Sequence, residues 1–300
     1  MNKAFFAAAL CSAALVSTAA HADTRFDAYL SAAAGFNSDQ SADTEGAAIG
    51  GVAYDLRGSI AMPVQGSNIG VQGDVEISGT PINNVGHWGY GAMSDPQETA
   101  ALHAFTRSDR ALVGLVVQTT KLGSMIYDGY GNRERRFYFG GEGQLYLHNV
   151  TLSGQATYFV NSGQQFVYDN ETYQYNSHGV NLAASAKYFL TANTSVAAEG
   201  GFESSGTNYV DGPIYKHTAW LAGTKVEHRL GSLPLSYTAE ATYRSGVYNN
   251  QGFNRDHDLR VMVGVKLNFG SKTLQERDHT GASLETVRPL NDSFNGSLSW

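Results

Sequence analysis

The chain has 300 residues, a formal net charge of −7 and 34 glycines, but only 6 prolines and one cysteine. An acidic chain lacks the basic face that nucleic acid requires, so we expect no nucleic-acid partner. The cysteine is Cys11, and the rest of the chain therefore has no disulfide and no thiol chemistry.

The first 22 residues have the parts of an export signal. Lys3 supplies a positive charge, an alanine-rich apolar run follows, and the residues at 20–22 (Ala-His-Ala) match a small-x-small cleavage site. The run is too short for a transmembrane anchor, and the leucine before Cys11 argues against lipidation. We expect residues 1–22 to be a signal peptide, whose removal would lower the net charge from −7 to −8.

Twelve segments alternate apolar and polar residues, which is the pattern of a β-strand with one apolar face. In 258–270, for example, Leu259, Val261 and Val263 share one parity, and Arg260 and Lys266 share the other. The twelve segments are 25–36, 48–64, 68–79, 98–107, 110–122, 135–148, 149–160, 179–190, 194–205, 217–230, 233–244 and 258–270. They are longer than the roughly 5–6 residues usual for strands of globular proteins.

Short and long connections alternate strictly between these segments. The long ones are rich in Gly, Asn, Asp, Tyr and Ser, and no stretch after residue 22 is long and apolar enough for a transmembrane helix. This pattern predicts an all-β fold: a closed antiparallel transmembrane β-barrel of about 12 strands, with the N- and C-termini periplasmic. A secreted soluble β-sandwich is the alternative fold.

If the apolar parity faces lipid, the other parity faces the lumen. It carries charges of both signs, and a charge facing lipid at mid-membrane would cost about 2–4 kcal/mol. The predicted residues that line the lumen and set its selectivity are Asp74, Glu76, Arg136, Glu142, Lys187, Glu199, Lys225, Glu227, Glu240, Arg260 and Lys266. The expected ion pairs among them are Lys187–Glu199, Lys225–Glu240 and Arg136–Glu142. Such pairs either hold a narrow lumen together or form a selectivity ring for a solute.

A surface hydrolase at the barrel rim is the alternative function. Asp256 and Asp258 flank His257, as acids flank the histidine of barrel proteases, and Asp211 is the obvious source of another acid. The neighbours Ser177 and His178 cannot cooperate, because adjacent strand residues point to opposite faces. We expect His257 to belong to a polar strand end and the chain not to be an enzyme.

Candidate metal ligands do not have the spacing of known sites. No His/Cys cluster has zinc spacing, and the acidic segments 38–46 and 128–134 do not match a calcium loop. We expect no metal and no other cofactor, and a divalent ion that bridges external loops is the alternative.

The last strand resembles the assembly signal of bacterial outer-membrane barrels, which ends in glycine, a hydrophobic residue and an aromatic residue at fixed spacing. Gly264, Leu267 and Phe269 match it, while Met262 stands where a polar residue is usual. The stretch PVQGSNIGVQGD at 63–74 is similar to the first inner turn of uncharacterised α-proteobacterial barrel proteins.

With the signal peptide and the alternating loops, residues 23–270 resemble an outer-membrane β-barrel (porin-like) protein. The resemblance implies the bacterial outer membrane as the location. It implies outer-membrane lipid, the barrel-assembly machinery and a small solute as partners. The implied function is a porin-like small-solute channel or a structural envelope protein.

Residues 271–300 have no strand pattern and are expected to form a periplasmic tail. Three interpretations of this segment stay open: a flexible tail, a plug that folds into the inner mouth of the barrel, and a segment that binds a periplasmic partner.

Overall fold

The computed structural model describes residues 26–41, 49–79, 96–122, 126–127, 130–131, 135–161, 164–168, 171–209, 214–231, 233–249 and 254–290. The predicted signal peptide therefore lies outside the described residues. In chain order the elements are β1 (Asp27–Ser41), β2 (Ile49–Pro63), β3 (Ile69–Gly79), β4 (Gln97–Arg107), β5 (Ala111–Lys121), β6 (Ile126–Tyr127), β7 (Tyr130–Gly131), β8 (Arg135–Leu147), β9 (Val150–Asn161), β10 (Gln164–Tyr168), β11 (Glu171–Thr191), β12 (Thr194–Tyr209), β13 (Ile214–Arg229), β14 (Leu235–Asn249), β15 (Asn254–Phe269) and the helix α1 (Leu274–Thr280).

Twelve of these strands form a closed antiparallel wall. The ring order is β1, β2, β3, β4, β5, β8, β9, β11, β12, β13, β14 and β15, and β15 pairs back to β1 from Ala28–Phe269 to Ser41–Asp256. Closure gives every wall strand two partners and removes the free edges of the sheet. The predicted twelve-stranded barrel is confirmed, and the β-sandwich alternative is wrong because the sheet closes on itself.

The two faces of the wall have opposite chemistry, as the alternating sequence predicts. In β15 the side chains of Leu259, Val261 and Val263 are exposed on the outside, whereas Met262 and Lys266 are buried inside. Aromatic residues also face outward, and the rings of Trp220 and Tyr243 lie 5.3 Å apart on neighbouring strands.

Strand pairing continues beyond the predicted strand ends on the side of the long connections, which we call the loop end. The long connection 161–178, between the predicted segments 149–160 and 179–190, contains strand pairing, since β10 pairs with the first residues of β11, from Gln164–Tyr175 to Tyr168–Glu171. The sequence ETYQYNS at 171–177 has no aliphatic residue, so the apolar alternation does not extend into it. We call the opposite end of the barrel the tight-turn end.

The chain after β15 turns back into the barrel. Thr273 caps α1 by accepting a hydrogen bond from the Glu276 backbone N–H at 3.0 Å, and the Glu276 carboxylate accepts one from the Lys272 N–H at 2.7 Å. Residues 281–290 then continue as an extended segment. Within the described residues, no helix is long and apolar enough to cross a membrane.

Candidate functional site

The candidate site is the lumen, and residues 271–290, here called the tail, occupy it. Sequence reasoning left the place of this segment open among three interpretations, and the structure places its described part inside the barrel. The division of the chain into 1–22, 23–270 and 271–300 stays a prediction.

Arg277 on α1 makes the strongest contact at the tight-turn end. Its guanidinium donates two hydrogen bonds to the Glu227 carboxylate, at 3.0 and 2.9 Å, and a third to Asn268. Lys266 lies 3.5 Å from the same carboxylate. Burial alone would lower the pKa of Arg277, but Glu227 outweighs burial and raises it above the ordinary value. The charged Arg277–Glu227 pair therefore fixes the helix across the mouth of the barrel.

The next residues of α1 reach the opposite wall. The Asp278 carboxylate accepts hydrogen bonds from the Lys187 ammonium and from the Thr151 hydroxyl. The ring of His279 lies against Tyr146, with centroids 4.6 Å apart. The helix therefore bridges β13 and β15 on one side of the mouth to β9 and β11 on the other.

Glutamine side chains bind the tail backbone as it runs from the tight-turn end toward the loop end. Gln72 donates to the Leu284 carbonyl at 2.8 Å and accepts from the Leu284 N–H at 3.2 Å. Gln118 forms the same two bonds with Val287, both at 2.7 Å. Gln144 donates to the carbonyl of residue 283 at 3.1 Å. These contacts bind the main chain of the tail and leave its side chains free to pack.

Charged residues bind the tail nearer the loop end. Arg288 donates to Glu199 at 3.0 Å and to Glu240 at 3.1 Å. The Leu290 N–H donates to Glu203 at 3.0 Å, and the Leu290 carbonyl accepts from Arg244 at 2.7 Å. Glu203 lies in the loop-end half of β12, so the described part of the tail crosses most of the barrel. The predicted periplasmic C-terminus lies outside the described residues.

The tail does not fill the lumen completely. A cavity of about 120 Å³ lies beside it, where β9, β11 and β12 present small side chains. The Glu285 side chain faces this cavity and is 59% exposed, although Arg57 lies 3.7 Å and Lys225 lies 3.9 Å from its carboxylate. A second cavity of about 90 Å³ lies toward the loop end, and Arg288 lines both. The first cavity has room for several water molecules.

All eleven predicted lumen residues point inward, but the predicted ion pairs among them are not the ones that form. Lys187 pairs with Asp278 and Glu199 with Arg288, both in the tail. Lys225 does lie opposite Glu240 in the strand register, yet its nearest carboxylate is Glu285 of the tail. The tail therefore supplies partners that sequence reasoning sought on neighbouring strands.

The third predicted pair is also different. Arg136 bonds to Glu203 at 2.9 Å, and both side chains are almost fully buried. Glu142 instead binds the Nδ1 atom of His103 at 2.8 Å, while Asp74 lies 2.9 Å from the Nε2 atom of the same ring. A register of strands alone could not identify the Arg136–Glu203 and Glu142–His103 pairs, because each joins strands that are not neighbours.

His103 is the main residue that sequence reasoning missed. Its side chain is fully buried between Asp74 and Glu142, and Asp74 also accepts hydrogen bonds from the Gln72 amide at 3.0 Å. The odd residues of β4 face the lumen, so the parity of 98–107 was the available signal. The role of this histidine is to hold Asp74, which in turn holds the tail-binding Gln72.

The structure shows where the described residues of the hydrolase alternative lie. His257 lies on the outer face of β15, where its Nδ1 atom is 2.7 Å from the Tyr243 hydroxyl and the two rings stack. Asp258 points the other way, toward Arg244 at 3.9 Å. Asp211 lies outside the described residues. Ser177 is buried and His178 exposed, which confirms that they face opposite sides.

The residues of the predicted assembly signal lie as the alternation requires. Leu267 is exposed on the outer face, and Gly264 packs so closely that an added Cβ would lie 2.6 Å from the Ala32 carbonyl oxygen. Phe269 pairs with Ala28 where the barrel closes. A side chain at position 264 would disturb this closing pair of strands.

No protein-family model and no curated protein matches the chain. Among solved structures, an outer-membrane channel from Pseudomonas putida F1 is similar, with a TM-score of 0.51 and 10% identity, over 81% of this chain and 95% of that one. The NanC porin (TM-score 0.41, 11% identity, 79% and 98% covered) is another match. A third is the KdgM porin in complex with disordered oligogalacturonate (0.38, 10%, 80% and 99%). The first of these likenesses shows the fold, which is a closed antiparallel barrel of the outer-membrane type.

Proposed function

We propose that the chain is a porin-like outer-membrane channel for small solutes, and that the tail closes it in the conformation described above. The observation that carries this proposal is the contrast between the two faces of a closed wall. The outer face is a band of exposed aliphatic and aromatic side chains, and the inner face holds the charges. Such a wall is stable in lipid and leaves a polar path through it.

The same proposal includes the partners of the barrel and its route of export. Outer-membrane lipid covers the apolar band, and the barrel-assembly machinery recognises Gly264, Leu267 and Phe269 in the last strand. Residues 1–22 direct export. The similarity to uncharacterised α-proteobacterial barrels stays a prediction.

The width and the charges of the lumen indicate which solutes the channel would admit. Twelve strands enclose a narrower space than the 16–18 strands of general porins. With the tail in place, the cavity of about 120 Å³ suits water and small ions. With the tail displaced, Glu199, Glu240, Lys187 and Lys225 lose their tail partners and face the solute. Selectivity by charge then depends on these residues.

Conductance across a planar lipid bilayer tests the proposal. We expect the full chain to give small or rare steps, and the variant Arg277→Gln/Arg288→Gln, in which two anchors of the tail are weakened, to give larger and more frequent ones. Heat-modifiable migration in detergent gels would verify that both proteins are folded. If neither protein conducts above a detergent control, the channel proposal is wrong.

A structural envelope protein is the second candidate function, because the filled lumen favours a barrel that passes nothing. This candidate predicts recovery in the outer-membrane fraction without conductance from either protein. Fractionation and bilayer recording on the same preparation therefore separate the two functions.

A further inference from the structure

Between Gly281 and Leu290, most hydrogen bonds from the lumen wall go to the backbone of the tail. Wall side chains bond to the N–H or carbonyl of eight residues between Gly281 and Leu290. At Leu284 and at Val287, one glutamine amide satisfies both the N–H and the carbonyl, as a neighbouring β-strand would. These main-chain hydrogen bonds do not themselves depend on which side chain the peptide carries.

Other buried side chains of the wall hold these glutamines in place. Thr120 accepts a hydrogen bond from the Gln118 amide at 2.9 Å, and its hydroxyl lies 3.1 Å from that of Thr99. Asp74 holds Gln72 at 3.0 Å and is itself fixed by His103. Support from a second layer of buried polar groups is what a binding site requires, because it lowers the entropy that binding costs.

We propose that this wall is a binding site for extended peptide backbone, and that short extended peptides are the class of solute that the channel takes when the tail leaves. The inference rests on the proposed channel function and adds its substrate class. The tail is then the resident occupant of a peptide site. The charges of both signs along the lumen suit peptides, whose termini and side chains also carry both signs.

The proposal is tested with the full chain carrying Arg277→Gln and Arg288→Gln, here called the released variant. Hydrogen exchange of residues 281–290 shows whether the tail has left the lumen, and Asp278→Asn is added if exchange stays slow. The probe is a fluorescein-labelled peptide, GASLETVRPL, with the sequence of residues 281–290. Fluorescence anisotropy in detergent measures its binding, independently of conductance.

Three comparison ligands separate backbone recognition from other causes. A peptide N-methylated at the positions of Leu284 and Val287 keeps its side chains but loses two N–H donors, and we expect it to bind roughly tenfold more weakly or worse. A peptide scrambled at the other positions, with Leu and Val kept at the positions of Leu284 and Val287, should bind within about threefold of the original, since backbone contacts dominate at those other positions. Maltoheptaose, a linear sugar of similar length, should not compete.

A matched pair of wall variants completes the test. Gln118→Leu in the released variant should weaken peptide binding roughly tenfold, while Gln65→Leu, at an exposed glutamine of the turn between β2 and β3, should leave it unchanged. Equal binding of the methylated and unmethylated peptides, or no binding once exchange is fast, would overturn the inference. Binding without conductance would refute the proposed channel and leave the peptide site standing; conductance without binding would do the reverse.

Discussion

The two sides of the lumen differ in the size of the side chains that point inward, and Leu284 and Val287 of the tail pack against only one of them. The packed side carries large apolar residues, which form two clusters with the tail: Phe105, Leu112 and Tyr146 with Leu284, and Val116, Tyr138 and Phe159 with Val287. The open side carries Ser153, Ala183, Ser185 and Gly201, and it borders the larger cavity.

This difference shows which part of the wall holds the tail. A water-filled passage gains nothing from large apolar side chains, because they bury no surface there. On the packed side they bury Leu284 and Val287, at about 1.5–3 kcal/mol for each side chain. The open side contributes partly hydrated charges, and their ion pairs stabilise the docked tail less than this apolar burial does. We therefore expect the tail to depend on the packed side, and the residual cavity to depend on the open side.

The largest effect is expected from Val287→Asp. The substitution places a charge inside the apolar cluster and beside the Gln118 amide, which costs several kcal/mol. Tail docking should fail, and bilayer conductance should rise several-fold to that of an open barrel. Val287→Ile keeps the apolar contact and should stay closed. A Val287→Asp protein that conducts like the parent would show that the packed side does not hold the tail.

A smaller effect is expected from Arg277→Gln alone. Glu227 would lose its two hydrogen bonds from Arg277 and keep Lys266, 3.5 Å away, as its ion-pair partner, and breaking a buried ion pair costs about 3–5 kcal/mol. The mouth helix should loosen while Leu284 and Val287 still bind, so openings become more frequent without reaching full size. Lys272→Gln is the matched control, since Lys272 is an exposed cation just before the same helix. Equal effects of the two substitutions would contradict the anchoring role of Arg277.

The wall could be predicted from sequence because each strand repeats one rule. Alternation fixes which side chains face outward, and the tight turns fix the order of neighbours, so the twelve strands and all eleven predicted lumen residues follow. The tail obeys no such rule. Its partners Gln72, Gln118 and Glu203 lie on distant strands, and its register against them depends on packing that no local pattern records.

One signal for the tail was nevertheless present in the sequence. In β5 the inward residues Leu112 and Val116 are as apolar as the outward residues Val113, Leu115 and Val117. A strand that is apolar on both parities is buried on both faces, which in a barrel means that something apolar lies inside. For His103, by contrast, the sequence contains no such signal. A single polar residue at an inward position does not reveal that it bridges Asp74 and Glu142.

The open side is probed by Ala183→Leu. Ala183 lines the larger cavity, and a leucine there would fill much of it without touching the packed side. We expect the small residual conductance of the parent to fall about several-fold, while the tail stays docked. Ala186→Leu is the matched control, because residue 186 points outward from the same strand, does not line the cavity, and a leucine there suits lipid. Residual conductance that is unchanged in Ala183→Leu would show that ions do not pass through this cavity.

The smallest effect is expected from Glu285→Gln. The Glu285 carboxylate is 59% exposed to the cavity, and its contacts with Arg57 and Lys225 are 3.7 and 3.9 Å long. Arg57 also keeps Asp55 at 2.7 Å, so it is not left without a carboxylate. The loss should be no more than about 1 kcal/mol, as for partly hydrated ion pairs, and hydrogen exchange of residues 281–290 should change little. If Glu285→Gln released the tail as readily as Arg277→Gln does, the open side would hold it as firmly as the mouth helix, and charge rather than apolar packing would explain the closed lumen.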